Sequence, residues 1–294
     1  MRRALLIHNP RAGGARGAVR LERARAALRS RGVNLLEASC QTAEMSAQSA
    51  RDAARRRDLD AVLVFGGDGT VRLVAAELAG SEVPLGVLPG GTTNVIAMAL
   101  GIPARPESAV AALLASRVRE LDLGRCGTAP FLMQATAGLD ARIMACLDPR
   151  WKRRFGKGAV VWTALREWLR YRFEEVEIEL DGRRERVTGI AICNLAEYAG
   201  RFRLIPQARP DDGRLDLLLF RGRRRRDALG YALALLVGRH HRRRDIEIRP
   251  ATAVSILGPA ETPLQLDGDP WPANYPLQIT LAPSRLRVLA PART

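Results

Sequence analysis

Three short glycine-bearing segments hold the residues of this chain best suited to chemistry. They are Asn9-Pro10-Arg11-Ala12-Gly13-Gly14, Phe65-Gly66-Gly67-Asp68-Gly69-Thr70 and Pro89-Gly90-Gly91-Thr92-Thr93-Asn94. Paired glycines let a backbone approach a ligand closely. Where such a turn opens a helix, its N–H groups point outward and form an anion site. Asp68 cannot bind phosphate directly, but a carboxylate there can hold Mg2+ or a water on a phosphate. One such segment alone reads more readily as a tight β–α turn with a capping Asp or Thr. Three in succession point to a phosphate site, although none matches the GxxxxGK[ST] pattern and none contains a lysine.

The elements around these segments explain why they would converge. Ala4 to Ile7 reads as a buried strand, and residues 16–31 carry helical periodicity through Val19, Leu21, Ala24 and Leu28. Val33 to Leu36 is a second strand and 44–57 a second helix. Ala61 to Phe65 is an unbroken apolar run, as in a central strand covered on both faces. Residues 71–79 are helical and Pro84 to Leu88 is a fourth strand. This alternation predicts a doubly wound parallel sheet, with the glycine segments at its carboxyl edge, where open α/β folds bind ligands.

The rhythm changes near residue 120. Leu121 to Gly124 and Phe131 to Thr136 read as strands, and 150–171 as one basic amphipathic helix. From Val176 short alternating strands dominate, with turns at Asp181-Gly182, Asp212-Gly213 and Asp267-Gly268. An apolar helix is expected over 227–238. The expected organisation is an α/β domain over 1–124 and a β-rich domain over 125–294, with a last strand near 285–290 compatible with either.

Composition narrows the partners. The 294 residues carry 47 Lys+Arg against 31 Asp+Glu, a formal charge of +16, and only Lys152 and Lys157 are lysines. Such a field suits phosphates, anionic lipid surfaces or nucleic acid. No RRM, KH or zinc-finger pattern supports nucleic acid. Cys40, Cys126, Cys146 and Cys193 lie far apart, which argues against a disulfide framework or zinc site and for a reducing compartment. His8, His240 and His241 are badly placed for a hydrolytic triad, and there is no GxSxG elbow. The apolar run after Met1 is too short for a signal peptide, and no stretch approaches the roughly 18 apolar residues of a spanning helix. The expectation is a cytoplasmic protein, peripheral at the inner face of a membrane.

Two segments suit an anionic surface. Residues 150–172 mix Arg150, Lys152, Arg153 and Arg154 with Trp151, Phe155, Trp162, Trp168 and Tyr171, and residues 221–244 set Arg223 to Arg226 and Arg239 to Arg244 around an apolar centre. Core-packed helices with solvated ends are the alternative for both.

The motif order resembles the diacylglycerol kinase catalytic domain family, which includes bacterial lipid kinases and the sphingosine and ceramide kinases. The resemblance continues through Ala137-Gly138-Leu139-Asp140-Ala141, Pro210-Asp211-Asp212-Gly213-Arg214-Leu215-Asp216 and Leu266-Asp267-Gly268-Asp269-Pro270, so it covers nearly the whole chain. It implies an NAD kinase-like α/β nucleotide-binding domain followed by a β-sandwich-like lipid domain. It further implies ATP and Mg2+ as cofactors, and transfer of the γ-phosphate to a hydroxyl of a membrane lipid such as diacylglycerol.

Carried over by position, the resemblance implies ATP contacts at Asn9, Thr42, Gly66, Gly67, Asp68, Gly69, Thr70 and Thr92, with Asp68 in the Mg2+–ATP arrangement. Asp269 would be the general base toward the lipid hydroxyl, assisted by Asp122. Asp212, with the backbone carbonyls of Arg209 and Arg214, would hold a structural Mg2+. Three positions depart from the family: Asp269 stands for a commoner Glu, Val95 for an Asp, and Ala12 for a Ser. Taken without the family pattern, Asp212-Gly213 and Asp267-Gly268 are ordinary hairpin turns, and Asp122 is the polar face of a strand. A soluble-substrate kinase of the NAD kinase or phosphofructokinase type shares the GGDG turn, and a silent lipid- or nucleic-acid-binding protein is a further alternative. The PGGTTN, DDGRLD and LDGDP segments fit the lipid branch better.

Overall fold

Apolar runs with no polar alternation become strands buried on both faces, and the first third of the chain supplies three of them beside one more exposed edge strand. The computed structural model describes residues 1–10, 13–91, 93–200 and 202–292, with Pro149, Lys152 and Arg153 described through their backbone alone. The chain opens with β1 (Arg3–His8), α1 (Gly14–Arg29), β2 (Asn34–Ser39), α2 (Ala43–Ala54), β3 (Ala61–Gly66), α3 (Asp68–Leu78) and β4 (Leu85–Pro89). Two short helices follow, α4 (Val95–Ala99) and α5 (Pro106–Leu114), then β5 (Arg117–Leu121).

The next stretch is β6 (Gly124–Cys126), β7 (Ala129–Phe131), β8 (Gln134–Ala137), α6 (Leu139–Ala145), α7 (Pro149–Phe155) and α8 (Lys157–Arg170). It continues with β9 (Val176–Leu180), β10 (Arg183–Val187), β11 (Gly189–Cys193), β12 (Glu197–Tyr198), β13 (Phe202–Arg203), β14 (Leu215–Phe220) and α9 (Arg225–Leu236). The remaining strands are β15 (Ile246–Ala251), β16 (Ala253–Gly258), β17 (Leu264–Leu266), β18 (Asp269–Trp271), β19 (Leu277–Leu281) and β20 (Leu286–Ala290).

These elements form two units. The first is Met1–Leu123 with Ala199–Arg201 and Pro283–Thr294; the second is Gly124–Tyr198 with Phe202–Ala282. The sheet of the first unit has the order β2-β1-β3-β4-β20-β5. β1 to β4 are parallel, and β20 pairs parallel with β4 and antiparallel with β5. The last strand therefore belongs to the first sheet. β3 and β4 are buried along their whole length. Strand order reverses between β1 and β3, and such a switch point opens a crevice at the carboxyl ends of the strands.

The second unit stacks two six-stranded sheets, β10-β9-β16-β19-β6-β7 and β15-β14-β11-β8-β17-β18. Ile178, Val254, Ile256 and Ile279 of one meet Ile190, Ile192, Leu217 and Leu264 of the other in a shared core. β9 alternates buried and half-buried residues, as a one-faced strand should. β11 is buried throughout, because Ala191 and Cys193 on its other side enter a second cluster with Leu204, Leu218 and the half-buried Tyr231 and Leu235 of α9.

Several sequence expectations change. The strand expected over Leu121 to Gly124 is interrupted at residues 122–123, between β5 and β6. The one expected over Phe131 to Thr136 is interrupted at 132–133, between β7 and β8, where Leu132 and Met133 N–H turn to the Asp267 carboxylate. The single helix over 150–171 is two helices, α7 and α8, broken at Gly156, whose φ of 56° and ψ of −125° are left-handed backbone that favours glycine. The helix expected from 71 begins at Asp68, because Gly67 supplies an extended N-cap.

Candidate active site

The three glycine segments come together as backbone against backbone. Gly90 N–H donates to Gly66 O at 2.9 Å. A Cβ on Gly90 would lie 2.8 Å from Gly66 N, one on Gly91 2.6 Å from Gly67 Cα, and one on Gly13 3.0 Å from Gly90 O. Asn94 locks the third segment: it sits at φ 53°, its Oδ1 accepts from Gly91 N–H at 2.7 Å, and its Nδ2 donates to Gly91 O at 2.8 Å. Asparagine tolerates this left-handed backbone better than most residues.

Helices α1 and α3 both start at this edge from glycine N-caps, Gly13 and Gly67, with no side chain capping either. Their first N–H groups, the close-packed glycine backbone and the switch point fit the phosphates of ATP. Gly69 and Thr70 form the first turn of α3, and Thr70 packs where a Cβ on Gly66 would fall, at 2.9 Å. Asn9 directly follows β1. Thr92 lies outside the described residues.

Asp68 has a duty that local sequence does not reveal. Its Oδ1 accepts from Ile96 N–H at 3.0 Å, so it ties the GGDGT turn to the start of α4. Burial pushes its carboxyl above the ordinary value, against the pull of backbone N–H groups at Ile96, Val95 and Asn94. A nearby cation would favour the charged form, so the position fits Mg2+. Thr42 is the N-cap of α2, and its hydroxyl accepts from Met45 N–H at 3.2 Å. Asp122 is buried and paired with Arg285 Nε at 2.8 Å.

In the second unit Asp267 and Asp269 divide their labour. Asp267 and Gly268, at φ 52° and 87°, make the two-residue turn between β17 and β18. The Asp267 carboxylate is buried and accepts from Leu132 N–H at 2.7 Å, Met133 N–H at 2.7 Å and Gln134 N–H at 2.9 Å. It is an anchor. Asp269 stands half-buried at the head of β18, on the far side of the same turn.

The implied structural-metal residues also lie in this unit. Asp212 Oδ1 accepts from Arg214 N–H at 3.1 Å, and Arg209 pairs with Asp211 at 3.6 Å. Asp216 was missed as a site residue, although a lone acid in the apolar strand Leu215–Phe220 was a signal. Burial, and next the Asp212 charge, push its carboxyl up. A cation beside Asp216 would favour its charged form, so the position fits a metal ion. Among the described residues no three His, Cys, Asp or Glu side chains cluster as metal ligands, so backbone carbonyls such as those of Arg209 and Arg214 would have to complete the set.

A cavity of about 210 Å³ lies in the second unit, walled mainly by apolar side chains including Ile143, Ile190, Leu218, Phe220 and Leu235. At its lining Asp140 accepts from Tyr198 Oη at 2.5 Å, Thr136 Oγ1 at 2.7 Å and Gln265 Nε2 at 3.1 Å. Burial, reinforced by the Asp140 charge, pushes the Tyr198 phenol well up, so it stays a donor. Gln265 Oε1 in turn accepts from Gly268 N–H, which joins this network to the turn preceding Asp269.

Residues 3–126 match the diacylglycerol kinase catalytic domain, and residues 134–290 match the YegS C-terminal NAD kinase beta sandwich-like domain. A Pseudomonas aeruginosa protein named "Probable lipid kinase YegS-like" is 33% identical over 235 residues, covering 77% of this chain and 75% of its own. A diacylglycerol kinase from Mycobacterium tuberculosis is 29% identical over 295 residues, covering 97% and 94%. The crystal structure of a diacylglycerol kinase from Bacillus anthracis shares the fold, with a TM-score of 0.73 at 20% identity over 99% of this chain and 97% of that one. The α/β sheet with its glycine turns and the antiparallel sandwich are matched along one chain, so the protein belongs to the diacylglycerol kinase family of ATP-dependent lipid kinases.

Proposed function

We propose that this kinase phosphorylates diacylglycerol or a closely related glycerolipid at a membrane surface, using ATP accompanied by Mg2+. The observation that carries the reading is the backbone contact of Gly66-Gly67 with Gly90-Gly91 beside two uncapped helix N-termini. The names of the relatives support the choice of lipid.

Phosphoryl transfer asks a protein mainly for alignment and charge neutralisation. The N–H groups at the starts of α1 and α3 hold the phosphates, and Asn9, Gly69 and Thr70 border them. Asp68 braces the second glycine turn against α4, and its carboxylate would supply negative charge to a cation bound there. When bound, Mg2+ would screen the phosphate oxygens. Asp269 accepts the proton of the lipid hydroxyl as that oxygen forms its bond to phosphorus. Asp267, through its three backbone hydrogen bonds, and Gln265, through Gly268, keep the Asp269 turn in place. Asp122 acts through Arg285 as a positioning residue. Asp212 and Asp216, with the carbonyls of Arg209 and Arg214, would hold a second, structural cation. The cavity is smaller than the roughly 300–1,000 Å³ of sites that take a whole drug-sized ligand, and it suits one acyl chain of a lipid.

The test is transfer of labelled γ-phosphate to a panel of micellar lipids, with and without Mg2+, by wild type and Asp269→Asn. Label in diacylglycerol that requires Mg2+ and is lost in the variant supports the reading. Label confined to NAD or a sugar phosphate refutes it.

A further inference from the structure

The surface of the second unit is unusual in where its apolar side chains stand. Ten of the fourteen large apolar residues exposed among the described residues lie on α7, α8 and α9 with its C-cap: Trp151 and Phe155; Val161, Trp162, Leu165 and Leu169; and Leu229, Leu233, Leu236 and Val237. On α8 the four fall on one side, opposite the buried Ala159, Thr163 and Glu167. On α9 they recur at one- and two-turn spacing, with Leu236 63% and Val237 68% exposed. The two helices are tied together, since Trp168 Nε1–H donates to Arg225 O at 2.8 Å. Trp168 is half-buried, as is Tyr171, whose ring meets that of Phe173, unlike the exposed Trp151, Phe155 and Trp162.

Helix α9 is apolar on its other side too. Ala228, Tyr231, Ala232 and Leu235 line the cavity. A helix apolar all round is normally buried, yet no residue of α9 is buried. Water is a poor medium for its outer face.

Charge selects the medium. Along 149–170 and 225–237 the only carboxylates are Glu167 and Asp227. Glu167 is buried against Arg142 and Arg166, and Asp227 accepts from Arg224 N–H at the start of α9. Arg154, Arg170, Arg224, Arg225 and Arg239 stand exposed around the apolar faces. The exposed acids Asp148 and Glu174 lie beyond the helix ends. Apolar stripes bordered by guanidinium groups, on helices that carry no exposed acid, suit an anionic bilayer. A second copy would bring the same positive charge against itself.

We propose that α8 and α9 form one docking surface for an anionic lipid bilayer. On this surface α9 lies with its outer leucines among acyl chains and its inner side roofing the cavity. This rests on the lipid-kinase reading for its purpose, but its physical basis is independent of catalysis.

The test is sedimentation of the full chain, without ATP, with vesicles of phosphatidylcholine alone and of phosphatidylcholine containing phosphatidylglycerol. Wild type is expected to bind the anionic vesicles strongly and the neutral ones weakly. The double variant Arg224→Gln/Arg225→Gln should lose about 25-fold in affinity for anionic vesicles only, at about fivefold for each arginine near the surface. Leu233→Gln/Leu236→Gln should lose at least about tenfold. Val19→Gln/Val118→Gln, which changes exposed apolar residues of the first unit, should bind as wild type, with unaltered melting in all three.

Unchanged binding in either α9 variant overturns the proposal. So does a wild-type dimer that the leucine variant dissociates and that ignores vesicles. Phosphotransfer is measured separately: its absence with vesicle binding intact removes the kinase reading and leaves the surface standing, and the converse removes the surface alone.

Discussion

Replacing Gly67 by alanine separates the cost to the fold from the cost to the nucleotide. Gly67 lies at φ −88° and ψ 174°, extended backbone that alanine adopts, and a Cβ there meets only Gly91 Cα at 3.7 Å. Alanine restricts the unfolded chain, a gain of about 0.4–1 kcal/mol. It also gives up glycine's advantage over alanine as an N-cap, a loss of comparable size. Net stability should stay within about 1 kcal/mol of wild type, and Tm within a few degrees. The methyl group, however, occupies the space over the turn assigned to phosphate. Loss of one charge-assisted hydrogen bond costs about 1.5–3 kcal/mol, which raises the KM for ATP about 10- to 100-fold. The assay pairs a thermal melt with initial rates against ATP concentration at saturating lipid. Gly91→Ala is the companion: its Cβ would fall 2.6 Å from Gly67 Cα, so backbone must move, and overpacking of about 1–3 kcal/mol should lower Tm as well as activity. A Gly67→Ala protein with wild-type KM for ATP would refute the phosphate cradle.

Asp267→Asn should keep the turn, since asparagine tolerates left-handed backbone, but set an amide against backbone donors. A loss of about 2–4 kcal/mol is expected in a denaturant titration. Asp269→Asn, two residues on, should leave that titration unchanged and abolish transfer. His8 is buried and takes a hydrogen bond from Arg25 at its Nε2, and burial first, then the Arg25 charge, lower its pKa from the ordinary 6.5. The unfolded chain therefore binds a proton more readily, so this contribution to stability is present above pH 6.5 and is lost as pH falls below it. His8→Leu should flatten that part of a Tm-against-pH curve. Asp216→Asn should raise Tm in the presence of a chelator, because it removes a carboxylate whose ionisation the fold disfavours; the proposed cation site predicts a rise in the Tm of wild type on adding Mg2+, and a smaller rise in the variant.

The parallel strands and their glycine turns were legible because each is a local pattern: an apolar run followed by residues that free the backbone. The Asp267-Gly268 turn was legible for the same reason. The duties of the acids around them were not. Asp68 reaches Ile96, 28 positions away, and Asp267 reaches Gln134, 133 positions away; neither partner has a signature near the acid. Asp122 looked like the polar face of a strand, yet it is buried against Arg285. The break at Gly156 was visible only as Gly156-Lys157-Gly158 in a periodic helix, and glycines so placed are often tolerated, as Gly158 is inside α8. The cavity carries no spacing signal because its wall draws a few residues each from β8, β11, β14 and α9, which lie far apart in the chain.

β20 lies between β4 and β5 in the first sheet. A ribosome releases β5 well before β20, and the whole Gly124–Ala282 segment is made in between. Until Leu286–Ala290 emerges, β4 and β5 each present an unpaired edge, a ready template for pairing with another chain. The part of the protein that is made first is thus the last to be completed. A chain terminated anywhere after Leu121 and before Leu286 would be delivered with a gap in its first sheet, well suited to aggregation and to recognition by proteases.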